Sequence, residues 1–251
     1  MSPSLLQPED FTTHPGGGMT DNPAWMFNER KLAGVDYKDE KVAAEYENRH
    51  GFRNFREEAR KISEALHLSD SSTVLDIGCG TGGLSVHLAE KCGHVYAVDV
   101  SEEMIGVLER KISNEKIRNI TAVAAGFLEY RHTGDPVDAI ICNVALHHLP
   151  DFWKQIALRN FHSILGDEGK LFLADVVFDF SPDDYRKGID DWLTTMRTVA
   201  GNSMSDEMII HIRDEYSTWD WVMTGMLEKA GFTVLANMET MKNMRVYICV
   251  K

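Results

Sequence analysis

Val74-Leu75-Asp76-Ile77-Gly78-Cys79-Gly80-Thr81-Gly82-Gly83 is the stretch on which the fold turns. A short apolar run ends in a cluster of glycines. Leu84, Leu88 and Cys92 then recur at i, i+4 and i+8, with Gly93 as a stop. That order predicts a strand, a tight turn and a helix. Glycines let the chain reverse sharply and let a ligand lie against bare backbone. The helix start offers N–H groups that have no intrahelical acceptor. Gly78-x-Gly80-x-x-Gly83 also satisfies the GxGxxG string of dinucleotide-binding turns, although a plain strand-to-helix turn can carry the same glycines.

Outward from this turn the alternation continues. Further apolar strands are predicted at Val95–Asp99, Ile120–Ala124, Val137–Cys142 and Leu171–Phe178. Ser101, with Glu102 and Glu103 behind it, starts a helix whose inward stripe is Met104, Ile105, Leu108 and Ile112. A helix over about 151–165 is predicted to pack through Trp153, Ile156, Phe161 and Ile164 and to stop at Gly166. Short apolar strands separated by helices point to a mainly parallel sheet buried on both faces. A helix over about 218–230, ended by Gly231, precedes strands at Phe232–Leu235 and Arg245–Val250. The connection over 236–244 is too short for a crossover, so this last pair is predicted to be an antiparallel hairpin. The fold expected is α/β: a seven-stranded, mostly parallel, doubly wound sheet of Rossmann-like type with a reversed C-terminal strand.

The remaining segments frame this core. Residues 1–22, rich in Pro, Gly, Thr and Ser, read as a flexible tail before a single domain over 23–251. Residues 39–66 carry a helical pattern interrupted at Gly51 and are expected to form a lid. Residues 179–217 interrupt the alternation with helical, acidic sequence and are expected to form a cap. The chain of 251 residues has a net charge of −13, which disfavours nucleic acid as a partner. No apolar run approaches a membrane span, and the N-terminus lacks a basic start followed by an apolar core. The four cysteines form no CxxC pair, so neither a disulfide framework nor a zinc site is expected, and the compartment expected is the cytoplasm.

Asp99 directly follows the second strand, about 20 residues past the glycines, where a carboxylate can accept both hydroxyls of a ribose. With Asp76-x-Gly78-x-Gly80-x-Gly82 and Asp99, the chain resembles the class I S-adenosylmethionine-dependent methyltransferases. Asn143-Val144-Ala145-Leu146-His147-His148-Leu149-Pro150-Asp151 is similar to their segment after strand four. Ala230-Gly231-Phe232 is similar to their entry into strand six. The resemblance covers about residues 40–251. It implies S-adenosylmethionine as cofactor, Gly78, Cys79 and Gly80 at its backbone, Asp76 at its amino end and Asp99 at its ribose. It further implies Val100 and Met104 on the adenine, Asn143 beside the methyl donor and Tyr46 on a helix folded over the cofactor. One departure stands out. Many members carry an acid just after strand three that accepts from the adenine amino group, and here Gly126 holds that place. Phe127 and backbone are expected to hold the adenine instead, with Glu129 the alternative acid.

His147 and His148 follow the strand that ends beside the methyl group, and either could take a proton from an acceptor. Hydrogen-bonded structural histidines are the competing reading. No metal is expected, because neighbouring side chains in an extended turn point apart. The aromatic and methionine content of 179–217 suits a small, partly apolar acceptor, with Arg49 and Arg53 as a second wall. Methylation of tRNA or protein, a nicotinamide oxidoreductase and a non-catalytic cofactor binder are the alternatives.

Overall fold

The structure, a computed structural model, describes residues 23–31 and 53–251. Tyr46, Arg49, the tail over 1–22 and the first part of the predicted lid lie outside the described residues. Helix α1, Phe55–Leu66, starts where the Asn54 side chain accepts from the Glu57 N–H, and its buried stripe is Ala59, Ile62 and Leu66. There follow β1 (Thr73–Ile77), α2 (Gly83–Leu88), β2 (His94–Asp99), α3 (Glu102–Glu115), β3 (Ile120–Ala124) and β4 (Val137–Asn143). The chain continues through α4 (Asp151–Ile164), β5 (Leu165–Phe178), α5 (Tyr185–Asp214), β6 (Thr218–Trp219) and α6 (Asp220–Ala230). It ends in β7 (Thr233–Met241) and β8 (Met244–Val250).

Among the described residues the strands lie in the order β3-β2-β1-β4-β5-β8-β7, with the two-residue β6 beside β5. β1 to β5 run parallel, and β8 is antiparallel to both β5 and β7. From β1 the chain winds outward to β3, then returns to place β4 on the other side of β1. That reversal opens a crevice at the carboxyl ends of β1 and β4, where open α/β sheets bind ligands. Successive residues of β1 enter opposite cores. Leu75 and Ile77 pack with Ile140, Leu158, Phe161 and Leu227. Val74 packs with Ala59, Ile62, Leu88, Leu108 and Ile141 on the other face.

Several boundaries differ from the sequence reading, each for a local reason. β5 begins at Leu165 instead of Leu171, because Leu165 pairs with Val137 and Lys170 with Ala139, with polar 166–169 bulging between them. The final hairpin is longer than predicted. Its connection is Lys242-Asn243, with Asn243 at φ +61°, and polar residues on the exposed edge strand β7 had hidden its pairing. Helix α2 stops at Leu88, and Cys92 reaches the core from the turn beyond it. In α4, Ile156 is 39% exposed, while Ala157, Leu158 and Phe161 form the inward face. Lys154 is buried beside them because its ammonium donates to Asp151 and to the Tyr216 carbonyl. Residues 179–217 are mostly α5, kinked at Gly201, and Trp192, Met196 and Met204 pack there against Val176.

Candidate active site

The crevice holds a cavity of about 720 Å³, counting its open mouth. Four successive strand exits line it: Gly78 and Gly80 after β1, Asp99 and Val100 after β2, Gly126 and Phe127 after β3, Val144, Ala145, His148 and Leu149 after β4. Met104, from the first turn of α3, completes that wall. A smaller space of about 330 Å³ adjoins it at Gly78, bounded by Arg53, Asp76, Cys79 and Asn143. Gly78 sits at φ +76°, and a Cβ there would lie 2.4 Å from the Ala145 Cβ. No other residue fits that turn. Val144, a β-branched residue, also takes a left-handed φ of +58°, fixed by its N–H to the Ala174 carbonyl at 2.7 Å. Such strain costs on the order of 1–3 kcal/mol and gathers at functional sites.

The acids are held from behind by the loop itself. Asp99 Oδ2 accepts from Gly80 N–H at 2.8 Å and Oδ1 from Ser101 N–H at 2.9 Å. The Val100 N–H also bonds this carboxylate, and three donors leave at least one of its four lone pairs for a ligand. Burial raises the Asp99 carboxyl above its ordinary value despite these bonds. Asp76, fully buried, accepts from the Ser85 hydroxyl at 2.5 Å, and burial lifts its carboxyl to about 6. A cationic group in the smaller space would hold it ionised. Arg53 borders the same space, paired with Glu58. The two charges complement an amino-acid end group, ammonium to Asp76 and carboxylate to Arg53.

Glu29 closes the other end of the large cavity. It is 6% exposed, and its Oε2 accepts from Leu128 N–H at 2.8 Å. Oε1 is buried with no hydrogen-bond partner. A Cβ on Gly126 would lie 2.5 Å from Glu29 Oε2, so the carboxylate fills the volume that a side chain at 126 would take. Burial lifts this carboxyl to about 7. Arg30, next along the chain, pairs with Glu129 at 3.2 Å and ties the segment down. Glu129 thus faces Arg30, whereas Glu29 lines the cavity.

His147 and His148 separate. His148 lines the cavity, and burial together with its neighbour His147 pushes it down to about 3, so it is neutral. His147 lies behind it, 5% exposed. Its backbone N–H donates to Asp175 Oδ2 at 2.9 Å and its Nδ1 lies 2.5 Å from Oδ1. Burial alone would lower His147, yet the Asp175 and Glu215 carboxylates lift it above its ordinary value. The two imidazoles do not diverge as expected. Residues 146–148 form a 3₁₀ turn, not an extended one, and the ring centroids are 4.5 Å apart.

A family model described as a methyltransferase domain matches residues 74–169, the span from β1 to β5. An uncharacterised methyltransferase of Geobacillus kaustophilus is 30% identical over 64% of this chain and 68% of its own length. The chain belongs to the class I S-adenosylmethionine-dependent methyltransferases. A second such relative, from a Geobacillus species, is 28% identical over 88% of this chain and 90% of its own. An S-adenosylmethionine-dependent methyltransferase from Clostridium acetobutylicum shares the fold, with a TM-score of 0.62 at 13% identity over 84% of this chain and 97% of that one. The cradle of this methyltransferase suits the cofactor. Gly78 leaves bare backbone, Asp99 turns lone pairs to the cavity, and Glu29 Oε1 is a buried acceptor awaiting a donor. Gly78, Gly80, Asp99, Val100, Met104, Gly126 and Phe127 come together around the large cavity, and Asp76, Cys79 and Asn143 around the small one. Sequence reasoning had no signal for Glu29 beyond the missing acid at 126. It also gave Val144 and Leu149 no site role, although both lie in the segment that resembles the family's turn after strand four.

Proposed function

We propose that this methyltransferase acts on a small, partly apolar acceptor, with the cofactor's adenosine in the large cavity and its amino-acid end beside Asp76 and Arg53. One observation carries the reading. The cofactor cradle and the apolar wall of Val144, Ala145 and Leu149 line one and the same cavity, so an acceptor seated on that wall would lie beside the cofactor. The cofactor, when bound, supplies a methyl group already activated on a sulfonium. The protein's own tasks are therefore to bind, align and exclude water. Asp99 accepts from the ribose, and Glu29 Oε1 accepts from the adenine amino group in place of the acid missing at 126. Val144 and Leu149 keep the acceptor side dry. The net charge of −13 further disfavours an RNA acceptor. No described helix is long and apolar enough to cross a membrane.

The test is acceptor-dependent formation of S-adenosylhomocysteine by the purified chain. Metabolite pools filtered to small size, bulk tRNA and protein fractions are supplied in parallel. Turnover with the small-molecule pool alone supports the proposal. Turnover only with tRNA or protein would replace it with the macromolecular alternative.

A further inference from the structure

At the inner wall of the cavity, the turn after β4 meets the C-terminal end of α5. Tyr216 N–H donates to the His147 carbonyl at 2.9 Å and clamps the two segments together. We propose that His147, His148 and Glu215 form a binding site for a first-row transition-metal dication beside the methyl-donor pocket.

The geometry comes first. One donor atom from each of the three residues lies within 4.8 Å of the others. His147 Nε2 and Glu215 Oε2 are 3.4 Å apart. Two ligands about 2.1 Å from one ion at tetrahedral angles stand about 3.4 Å apart, so this edge of the site already has the right span. Closing the set asks only for side-chain movement.

The outer partners are equally telling. Asp175 sits on the far nitrogen of His147, at 2.5 Å from Nδ1, which leaves the Nε2 lone pair facing Glu215. His211 Nδ1 bonds Glu215 Oε2 from behind, and His211 Nε2 is fixed in turn by the Ser217 hydroxyl at 2.6 Å. A carboxylate behind a ligating imidazole, and a donor behind a ligating carboxylate, are how proteins orient metal ligands. Charge points the same way. Asp175 and Glu215 place two carboxylates in a nearly dry cluster, and Lys154, the neighbouring ammonium, is engaged by Asp151 and the Tyr216 carbonyl. Either protonated imidazoles or a bound cation must balance them.

The ligand chemistry selects the ion. Two imidazoles and one carboxylate suit Fe²⁺, Co²⁺, Ni²⁺ or Zn²⁺, whereas Mg²⁺ and Ca²⁺ favour oxygen. Three protein ligands leave coordination positions open. His148 lines the cavity, so an ion held by it could be reached from there by a hydroxyl, thiol or amine of the acceptor. That last consequence rests on the methyltransferase reading; the ion site does not.

The untagged full chain, stripped with a chelator and dialysed, is titrated with Co²⁺, followed by visible absorption and by calorimetry. We expect one ion per chain, with bands of a four- or five-coordinate nitrogen and oxygen site. Glu215→Gln and His148→Ala should each weaken uptake at least a hundredfold, and Asp175→Asn about ten- to a hundredfold. Circular dichroism checks each variant's fold. No uptake by the wild type at millimolar Co²⁺ overturns the site, and so does uptake unchanged in folded Glu215→Gln and His148→Ala chains. The wild-type titration decides alone if a variant does not fold. Separate calorimetry with S-adenosylhomocysteine distinguishes failure here from failure of the cofactor reading.

Discussion

Replacing Glu29 by Gln separates the cost of burying a charge from the use of that charge. Gln keeps an oxygen for the Leu128 N–H and removes ionisation. In the free protein burial lifts the Glu29 carboxyl from 4.5 to about 7. A carboxyl with a raised pKa holds its proton more tightly in the folded chain than in the unfolded one. Its contribution to stability is therefore lost as pH climbs from 4.5 through 7. At about 1.36 kcal/mol per unit the whole loss is about 3 kcal/mol. About 1.4 kcal/mol of it has gone by about pH 5.5, which leaves about 2 kcal/mol to be lost between there and about pH 8.5. Release of the segment carrying Glu29 would cap this figure, so it is an upper bound. Glu29→Gln lacks the slope. Relative to wild type it should melt higher by up to about 4–8 °C more at about pH 8.5 than at about pH 5.5. Cofactor binding should move the other way. An ionised acceptor bonded to the adenine amine is worth more than a neutral amide, so S-adenosylhomocysteine should bind the variant about five- to thirtyfold more weakly at about pH 8. Binding to wild type at about pH 6.5 should also release about three-quarters of a proton, read by calorimetry in buffers of different ionisation enthalpy. Parallel melting profiles and equal affinities in the two chains would refute both the buried charge and its role at the adenine.

Asp99→Ala should weaken S-adenosylhomocysteine by about 2–3 kcal/mol, about thirty- to two-hundredfold, because two charge-assisted bonds to the ribose are lost; calorimetry at unchanged fold checks it. Gly126→Ala puts a methyl 2.5 Å from Glu29 Oε2 and should dislodge the segment 23–31, seen as faster limited proteolysis there. Combined with Glu29→Gln, it should lower affinity little beyond either change alone, since both remove the same contact. Leu227→Ala, deep in the core between the sheet and α6, should cost about 2–5 kcal/mol in urea unfolding. It should leave the dissociation constant of the folded chain nearly unchanged, which separates packing from site.

The parts of this site that were legible in the sequence are those that one strand exit carries by itself. Gly78, Gly80, Asp99 and Gly126 each sit at a fixed offset from an apolar run, so a pattern along the chain places them on the sheet's carboxyl edge. Glu29 and Glu215 have no such anchor. Leu128 N–H, which Glu29 meets, lies 99 residues away in sequence, and no periodicity over 23–31 announces a docking segment. His211 and Glu215 show only a four-residue spacing at the end of a helix. They come to lie behind the cavity residue His148 because Tyr216 bonds back to His147. The glycine at 126 shows how far local reading reaches. An absent side chain is visible in the sequence as a departure from the family pattern, and it says that something else must occupy the volume. Which residue does so depends on how the chain returns across the sheet, and that is a property of the packed fold. The unpartnered Oε1 of Glu29 is the physical trace of that substitution. It is a buried acceptor that folding alone leaves unsatisfied, and the adenine amine is the donor that would complete it.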